Sequence, residues 1–288
     1  MRVGIGWDIV RTCLAIQSLR SCTLREAAGI ARALGFEAID LDGVMDTTLS
    51  RSGILEGKND EVMRVKEIGL VVPNIHWTFG TASLYPVVND PDPIIRAKNK
   101  EQIKRLVDFC HKADIYSILI LPGMFLPGQS VADAHKLAAE SLNEFQVIAN
   151  EAGVVLMVEP HVTSSFESPE STIWLAKQVP GMGIVLDYSH FIVQGHTQQE
   201  VVCLIPYTTH VHLRQAKSGL LQTRFEEGTI NFSLLLDGLR EADYGGYLCV
   251  EYVHQDFIGA TNVDVITETV KIRDFVNKHL GASIDPAL

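Results

Sequence analysis

Four short apolar segments of this sequence each end in an ionisable side chain, and this pattern limits the folds that the chain can adopt. The first segment reads VVLMVEPH and places Glu159 at its end. The other three read GIVLDYSH, THVHLR and YLCVEY, and they end near Asp187, His212 and Glu251. Runs this short fit strands buried on both faces, where a carboxylate needs a cation or a hydrogen-bonding partner. The pattern is typical of parallel strands whose carboxyl ends share one site.

The rest of the chain alternates strand and helix patterns. The capping sequence Thr23-Leu-Arg-Glu26 predicts the start of the first helix. Eight strand-then-helix units predict a closed (βα)8 TIM barrel, in one domain over residues 1–288, and about 250 residues suffice for this fold. The alternative, an open doubly wound sheet, needs a third glycine after Gly4 and Gly6, and the sequence lacks it at the required spacing. The first four strands are predicted at Arg2–Trp7, Phe36–Leu41, Leu70–Trp77 and Ile115–Leu121.

Composition excludes several classes of protein. No apolar run approaches the roughly 18 residues of a membrane span, so we expect a soluble protein without a membrane partner. The five cysteines are scattered without a CxxC pair, which favours the reducing cytoplasm over a disulfide framework or a thiolate zinc site. The formal net charge of −11 disfavours nucleic acid as a partner, because binding to phosphates depends on clustered Lys and Arg.

The four charged strand ends predict a metal site. In a barrel of parallel strands, Glu159, Asp187, His212 and Glu251 converge at one mouth. Three carboxylates and one imidazole form a mostly oxygen ligand set that suits one divalent ion. Mn²⁺ is the preferred cofactor, with Mg²⁺, Co²⁺ and Zn²⁺ as alternatives.

The motifs VEPH, LDYSH, HVHLR and VEY, in this order on strands five to eight, resemble the signature of the xylose isomerase-like sugar isomerase and epimerase superfamily. The resemblance implies that the four strand-end residues hold one divalent cation and that His190 contacts the substrate. It also implies that Glu159 and Glu251 exchange protons with a substrate carbon. Relatives are often dimers or tetramers, which makes a homo-oligomer an expectation. One departure is Gln215, where relatives often have an acidic residue.

Other side chains are candidates for substrate contacts. His161 either orients the substrate or caps a loop, and His76 and Trp7 either form a pocket wall or pack in the core. Arg214 and Lys217 can hold a carboxylate or phosphate of an anionic substrate, and the alternative, a solvated loop charge, applies to Lys217 more than to Arg214 at its strand end.

Two further side chains lie on the inner faces of predicted strands. His210, two residues before His212, is predicted to be a hydrogen-bonded barrel residue rather than a ligand. Cys249 is predicted to be a packing residue rather than a nucleophile.

The chemistry of these residues predicts an enzyme that acts on a small carbohydrate. Two glutamates beside a metal-bound carbonyl can remove and return a proton through an enediolate, which isomerises or epimerises a sugar, sugar acid or sugar phosphate. The same chemistry in a lyase would decarboxylate a 3-oxo sugar acid or dehydrate a polyol or ketone. Two further alternatives are an apurinic endonuclease, which needs more metal ligands than this sequence offers, and a non-catalytic sugar-binding barrel.

Overall fold

Eight parallel strands form a closed barrel in which each strand pairs with the next along the chain and the last pairs with the first. The computed structural model describes residue 7 and residues 10–81, 84–254 and 256–281. The predicted (βα)8 barrel is therefore confirmed. The strands are β1 Arg11–Ala15, β2 Ile39–Gly43, β3 Asn74–Trp77, β4 Ser117–Ile120, β5 Val155–Val158, β6 Gly183–Asp187, β7 Thr208–Leu213 and β8 Tyr247–Val250.

The first strand of the barrel is not the predicted one. The strand that closes the barrel is Arg11–Ala15, rather than the predicted Arg2–Trp7, and it pairs with β8 on one side and with β2 on the other. Residues 2–6 lie outside the described part of the chain, and Trp7 is half-buried against the main hydrophobic core. The second to fourth strands occur within a few residues of their predicted positions.

Helices follow the strands and cover the outside of the barrel. Thr23 and Glu26 form the predicted capping box at the start of the first helix, and each accepts a hydrogen bond from the other's backbone N–H. Gly35, at φ 75°, follows this helix in the left-handed conformation that glycine adopts without strain. None of the helices in the described residues is both long and apolar enough to cross a bilayer. The helices are α1 Leu24–Ala33, α2 Arg51–Leu55, α3 Asn59–Glu67, α4 Pro93–Ala113, α5 Val131–Glu151, α6 Pro169–Gln178, α7 Ser189–Ile192, α8 Gln198–Val201, α9 Phe232–Glu241 and α10 Val265–His279.

The inside of the barrel has an apolar side and a polar side. On β4, β5 and β6, the buried side chains Leu119, Met157 and Val185 pack against one another. On the opposite side, polar groups of β2 and β7 meet, and His210 Nε2 lies 2.7 Å from Asp40 Oδ2. This contact confirms that His210 is a hydrogen-bonded residue inside the barrel. The polar side chains on this side need hydrogen-bond partners, because burying a polar atom without a hydrogen bond is energetically costly.

Candidate active site

A cavity of about 240 Å³ opens among the loops that follow the carboxyl ends of the strands. Both polar and apolar side chains line it. Because active sites of such barrels lie at this face, the cavity is the candidate active site. It is lined by Gln17, Arg20, Val44, Met45, His76, Thr78, Leu84, Leu121, Glu159, His161, His190, Arg214, Leu221, Glu251, Val253 and Phe257.

The four predicted ligands meet at the base of this cavity. One donor atom from each of Glu159, Asp187, His212 and Glu251 lies within 4.8 Å of the other three. The Nδ1 atom of His212 is 2.8 Å from Oε1 of Glu159 and 3.3 Å from Oε2 of Glu251. All four side chains are at most 4% exposed. The barrel thus brings the predicted ligand set to one point.

Burial and mutual charge shape the protonation of this cluster. Burial and the neighbouring Glu251 charge raise the pKa of Glu159 to about 7, against the opposing effect of His212. Burial alone would also raise the pKa of Glu251, but the positive charges of His212 and Arg214 hold it well below its usual range. Burial alone would lower the pKa of His212, and the charges of Glu251 and Glu159 instead raise it well above its usual value. The buried carboxylates therefore stabilise the positive charge of the neighbouring His212.

Arg214 lies inside this cluster rather than in the loop beyond it. Its Nη2 atom is 2.7 Å from Oδ2 of Asp187 and 3.4 Å from Oε2 of Glu251. The same nitrogen is 2.8 Å from Nε2 of His190, and Nε donates to the hydroxyl of Ser189. The guanidinium is thus fixed among the site residues by contacts on several sides.

The donor set fits a divalent cation. Oδ2 of Asp187 is buried and forms an ion pair with Nη2 of Arg214, so the guanidinium balances only part of the negative charge of the ligand carboxylates. Three carboxylates and one imidazole that each place a donor atom within 4.8 Å of the others form the arrangement that a bound divalent cation would satisfy. Glu159, Asp187, His212 and Glu251 are the residues that would hold it.

Two predicted substrate contacts, His190 and His161, form one wall of the cavity. Their rings lie 4.0 Å apart, and His161 also approaches the ring of Phe257. Burial, together with the charges of His161 and Arg214, lowers the pKa of His190 well below its usual value. Burial lowers the pKa of His161 to about 4. Both imidazoles are therefore neutral at physiological pH.

His76 lies in the cavity, whereas Trp7 and Lys217 do not line it within the described residues. Nδ1 of His76 contacts the amide of Gln17 at 2.5 Å, and its Nε2 is buried without a hydrogen-bond partner. Lys217 is partly exposed, with its Nζ 3.9 Å from a carboxylate oxygen of Glu227. Trp7 packs against the hydrophobic core. The substrate roles of all three side chains stay predictions.

Gln17 and Arg20 are cavity residues that sequence reasoning missed. They lie in the loop after β1, and Arg20 donates to Asp42 while its Nη2 donates to Oε1 of Gln17. Because the first strand was predicted at Arg2–Trp7, these two residues were not recognised as lying just beyond a strand end. No local signal placed the first strand correctly, because the capping box at Thr23 fixes only the start of α1.

The sequence profile of the xylose isomerase-like TIM barrels matches residues 28–274, which is most of the chain. The chain belongs to this family. No sequence among the curated proteins matches this xylose isomerase-like chain.

Several crystal structures resemble this xylose isomerase-like barrel at low sequence identity. The apo 3-keto-D-glucoside 4-epimerase from E. coli is 17% identical with a TM-score of 0.72, over 93% of this chain and 99% of that one. A D-psicose 3-epimerase studied with D-fructose is 16% identical with a TM-score of 0.74, over 95% and 100% of the two chains. The D-psicose 3-epimerase from Clostridium cellulolyticum H10, studied with D-tagatose, is 16% identical with a TM-score of 0.73, over 94% and 99%.

Proposed function

We propose that this protein is a divalent-metal-dependent epimerase or isomerase of a keto sugar, with Glu159 and Glu251 as its acid and base. The observation that carries the proposal is the convergence of four donor atoms within 4.8 Å at the base of a cavity large enough for a monosaccharide. A divalent ion bound there would polarise the substrate carbonyl and stabilise the negative charge of an enediolate.

The four ligands do not face the cavity equally. Glu159 and Glu251 line it, whereas Asp187 and His212 lie below. The two glutamates also come from β5 and β8, which are three strands apart around the barrel. With one carboxylate on each side of the substrate, one glutamate can remove a proton from a sugar carbon and the other can return a proton on the opposite face. Asp187 and His212 are then ligands without a role in proton transfer.

The charges at the base of the cavity favour a neutral substrate. A bound divalent ion would keep Glu159 ionised, and the ion and the Arg214 guanidinium would together balance the three charges of Glu159, Asp187 and Glu251. Arg214 is thereby occupied by the carboxylates of the protein, and Lys217 lies outside the cavity lining. The basic residues that suggested an anionic substrate from the sequence thus have other partners. This favours a neutral sugar over a sugar acid or phosphate.

Three neutral imidazoles are placed to bind the hydroxyl groups of a sugar. Because the amide of Gln17 donates to Nδ1 of His76, the neutral ring carries its proton on Nε2, which has no partner in the described residues. This N–H is a free donor for a substrate oxygen. His161 and His190 line the cavity on the side of Glu159.

The similar crystal structures support a ketose or a keto-glycoside as the substrate class. Their names state epimerisation at carbon 3 of a ketose, or at carbon 4 of a 3-keto-glucoside. In each case the inverted carbon is next to a carbonyl, where a proton can be removed to form an enediolate.

The test is to incubate the Mn²⁺-loaded protein in D₂O with D-fructose, L-ribulose and a 3-keto-D-glucoside, beside sugar acids and sugar phosphates. We expect an epimer or isomer of a neutral keto sugar with deuterium at a single carbon. Release of CO₂ or water would instead establish the lyase alternative. Turnover of a sugar acid or phosphate alone would contradict the charge argument, and sugar binding without deuterium incorporation would contradict catalysis.

A further inference from the structure

A cluster of buried polar side chains lies inside the barrel beneath the four-ligand site, and the proposed chemistry does not use it. Asp40 of β2 is at its centre. Its Oδ2 atom is 2.7 Å from Nε2 of His210 and accepts from the amide of Asn74 at 3.3 Å, and its Oδ1 accepts from the thiol of Cys13 at 3.2 Å. Cys249 touches Cys13 at 3.2 Å between the two sulfur atoms. Asp40 and Asn74 are at most 3% exposed.

Asp40 also reaches the metal-site imidazole from below. Its Oδ2 atom lies 3.5 Å from Nε2 of His212, on the side of the ring away from Glu159 and Glu251. Nε2 of His212 is buried and has no other hydrogen-bond partner among the described residues. The two nitrogens of this ring thus face different groups, with Nδ1 toward the ligand carboxylates and Nε2 toward Asp40.

A histidine that binds a metal through one nitrogen carries a proton on the other, and that N–H needs an acceptor. A carboxylate in this position fixes the tautomer and the orientation of the ring, and it strengthens the ligand nitrogen. At 3.5 Å the contact is longer than a good hydrogen bond. A shift of His212 by a few tenths of an ångström would close it.

The cluster offers donor atoms that could themselves hold a cation, since Asp40, His210, His212 and Cys249 each place one within 4.8 Å of the others. The hydrogen bonds argue against that use. Both oxygens of Asp40 already accept from described neighbours, and burial raises the pKa of the Cys249 thiol well above its usual value, which opposes a thiolate ligand. The cluster is therefore a closed hydrogen-bonded set.

We infer that Asp40 is a positioning residue for the metal-binding histidine, holding the Nε2–H of His212 so that its Nδ1 lone pair points between Glu159, Asp187 and Glu251. His210, Asn74 and Cys13 fix the carboxylate in place. The inference rests on the proposed metal site and adds a residue from the other half of the barrel, far from the ligands in sequence.

The first test compares Mn²⁺ affinity by calorimetry in the wild type, Asp40→Asn and Asp90→Asn. An asparagine offers one acceptor oxygen where Asp40 receives several donors, so we expect Asp40→Asn to bind Mn²⁺ about 10-fold to 100-fold more weakly. Asp90 is the matched control, because it is equally buried and lies outside the cavity lining. Asp90→Asn is expected to keep the wild-type affinity. Equal affinity in Asp40→Asn and the wild type would overturn the inference.

The second test needs no variant and so survives a failure of Asp40→Asn to fold. Nitrogen-15 NMR of the wild type loaded with diamagnetic Zn²⁺ reports which ring nitrogen of His212 carries the proton. We expect protonated Nε2 with a low-field proton, and Zn²⁺ on Nδ1. A proton on Nδ1, or two tightly bound Zn²⁺ ions per chain, would overturn the assignment. A wild type that binds no metal would refute the proposed function itself, whereas metal binding and turnover with a wrong tautomer would refute only the role of Asp40.

Discussion

The two halves of this barrel contribute different chemistry to the same cavity. Strands β5 to β8 end in Glu159, Asp187, His212 and Glu251, which converge on one point. Strands β1 to β4 lead into a wall of uncharged and paired groups, such as His76 with Gln17 and the apolar Leu121. The ligand half carries charges that burial would penalise without a partner, and the wall half carries groups that hydrogen-bond or pack. The charges of the ligand half thus converge on one point, whereas a charge in the other half, that of Asp42, is paired with Arg20.

The largest expected effect is in the ligand half. At full metal occupancy, Glu159→Gln or Glu251→Gln should lower turnover by about 10²–10⁴-fold, because the amide cannot accept the substrate proton. Rate and metal content are measured on the same samples. If the glutamates serve opposite faces, one variant still exchanges the substrate proton with solvent deuterium without forming product. Near-normal turnover in both variants at saturating metal would reduce the two residues to ligands.

Arg214 should show the next largest effect, and on stability rather than on substrate choice. Arg214→Met leaves Asp187 and Glu251 without their buried counter-charge, so we expect the metal-free protein to lose about 3–5 kcal/mol of unfolding free energy. Saturating Mn²⁺ should recover part of this loss. Urea unfolding with and without the metal measures both values. A variant whose stability is unchanged, but whose KM rises for sugar acids alone, would restore the role of Arg214 as an anion-binding residue.

The wall half should give a smaller effect that is confined to substrate binding. His76→Phe removes one hydrogen-bond donor to a neutral sugar, worth about 0.5–1.5 kcal/mol, which corresponds to a rise in KM of roughly tenfold or less. Mn²⁺ affinity should not change, because His76 is not one of the four ligands. Steady-state kinetics and metal titration together check this. Loss of metal binding in His76→Phe would contradict the division into a half that binds the metal and a half that contacts only the substrate.

The smallest effect is expected outside the cavity. Lys217 belongs to the loop after β7 but contacts Glu227 only at 3.9 Å, so Lys217→Ala should change kcat/KM by less than about twofold and stability by less than about 0.5 kcal/mol. The comparison uses a neutral keto sugar and a sugar acid in parallel. A tenfold loss specific to the sugar acid would show that the loop binds anionic substrates.

The sequence alone was sufficient wherever a local rule decided the outcome. Short apolar runs with terminal charges located β5 to β8 and the four residues that converge, because burying a charge without a partner is too costly for a chance arrangement at four successive strands. The capping box located α1, because its two hydrogen bonds join residues only three positions apart. The inward direction of His210 followed from the period of two along a strand.

Contacts between distant segments were decided only by the tertiary structure. Which apolar run closes the barrel depends on pairing between β1 and β8, and no local propensity distinguishes Arg11–Ala15 from its neighbours. The guanidinium of Arg214, predicted to contact a substrate, lines the cavity and also contacts Asp187 and Glu251. Asp40 meets His210 across 170 positions of sequence. Such contacts depend on the register in which eight strands close into a barrel, and that register is set by the packing of the whole chain rather than by any one segment.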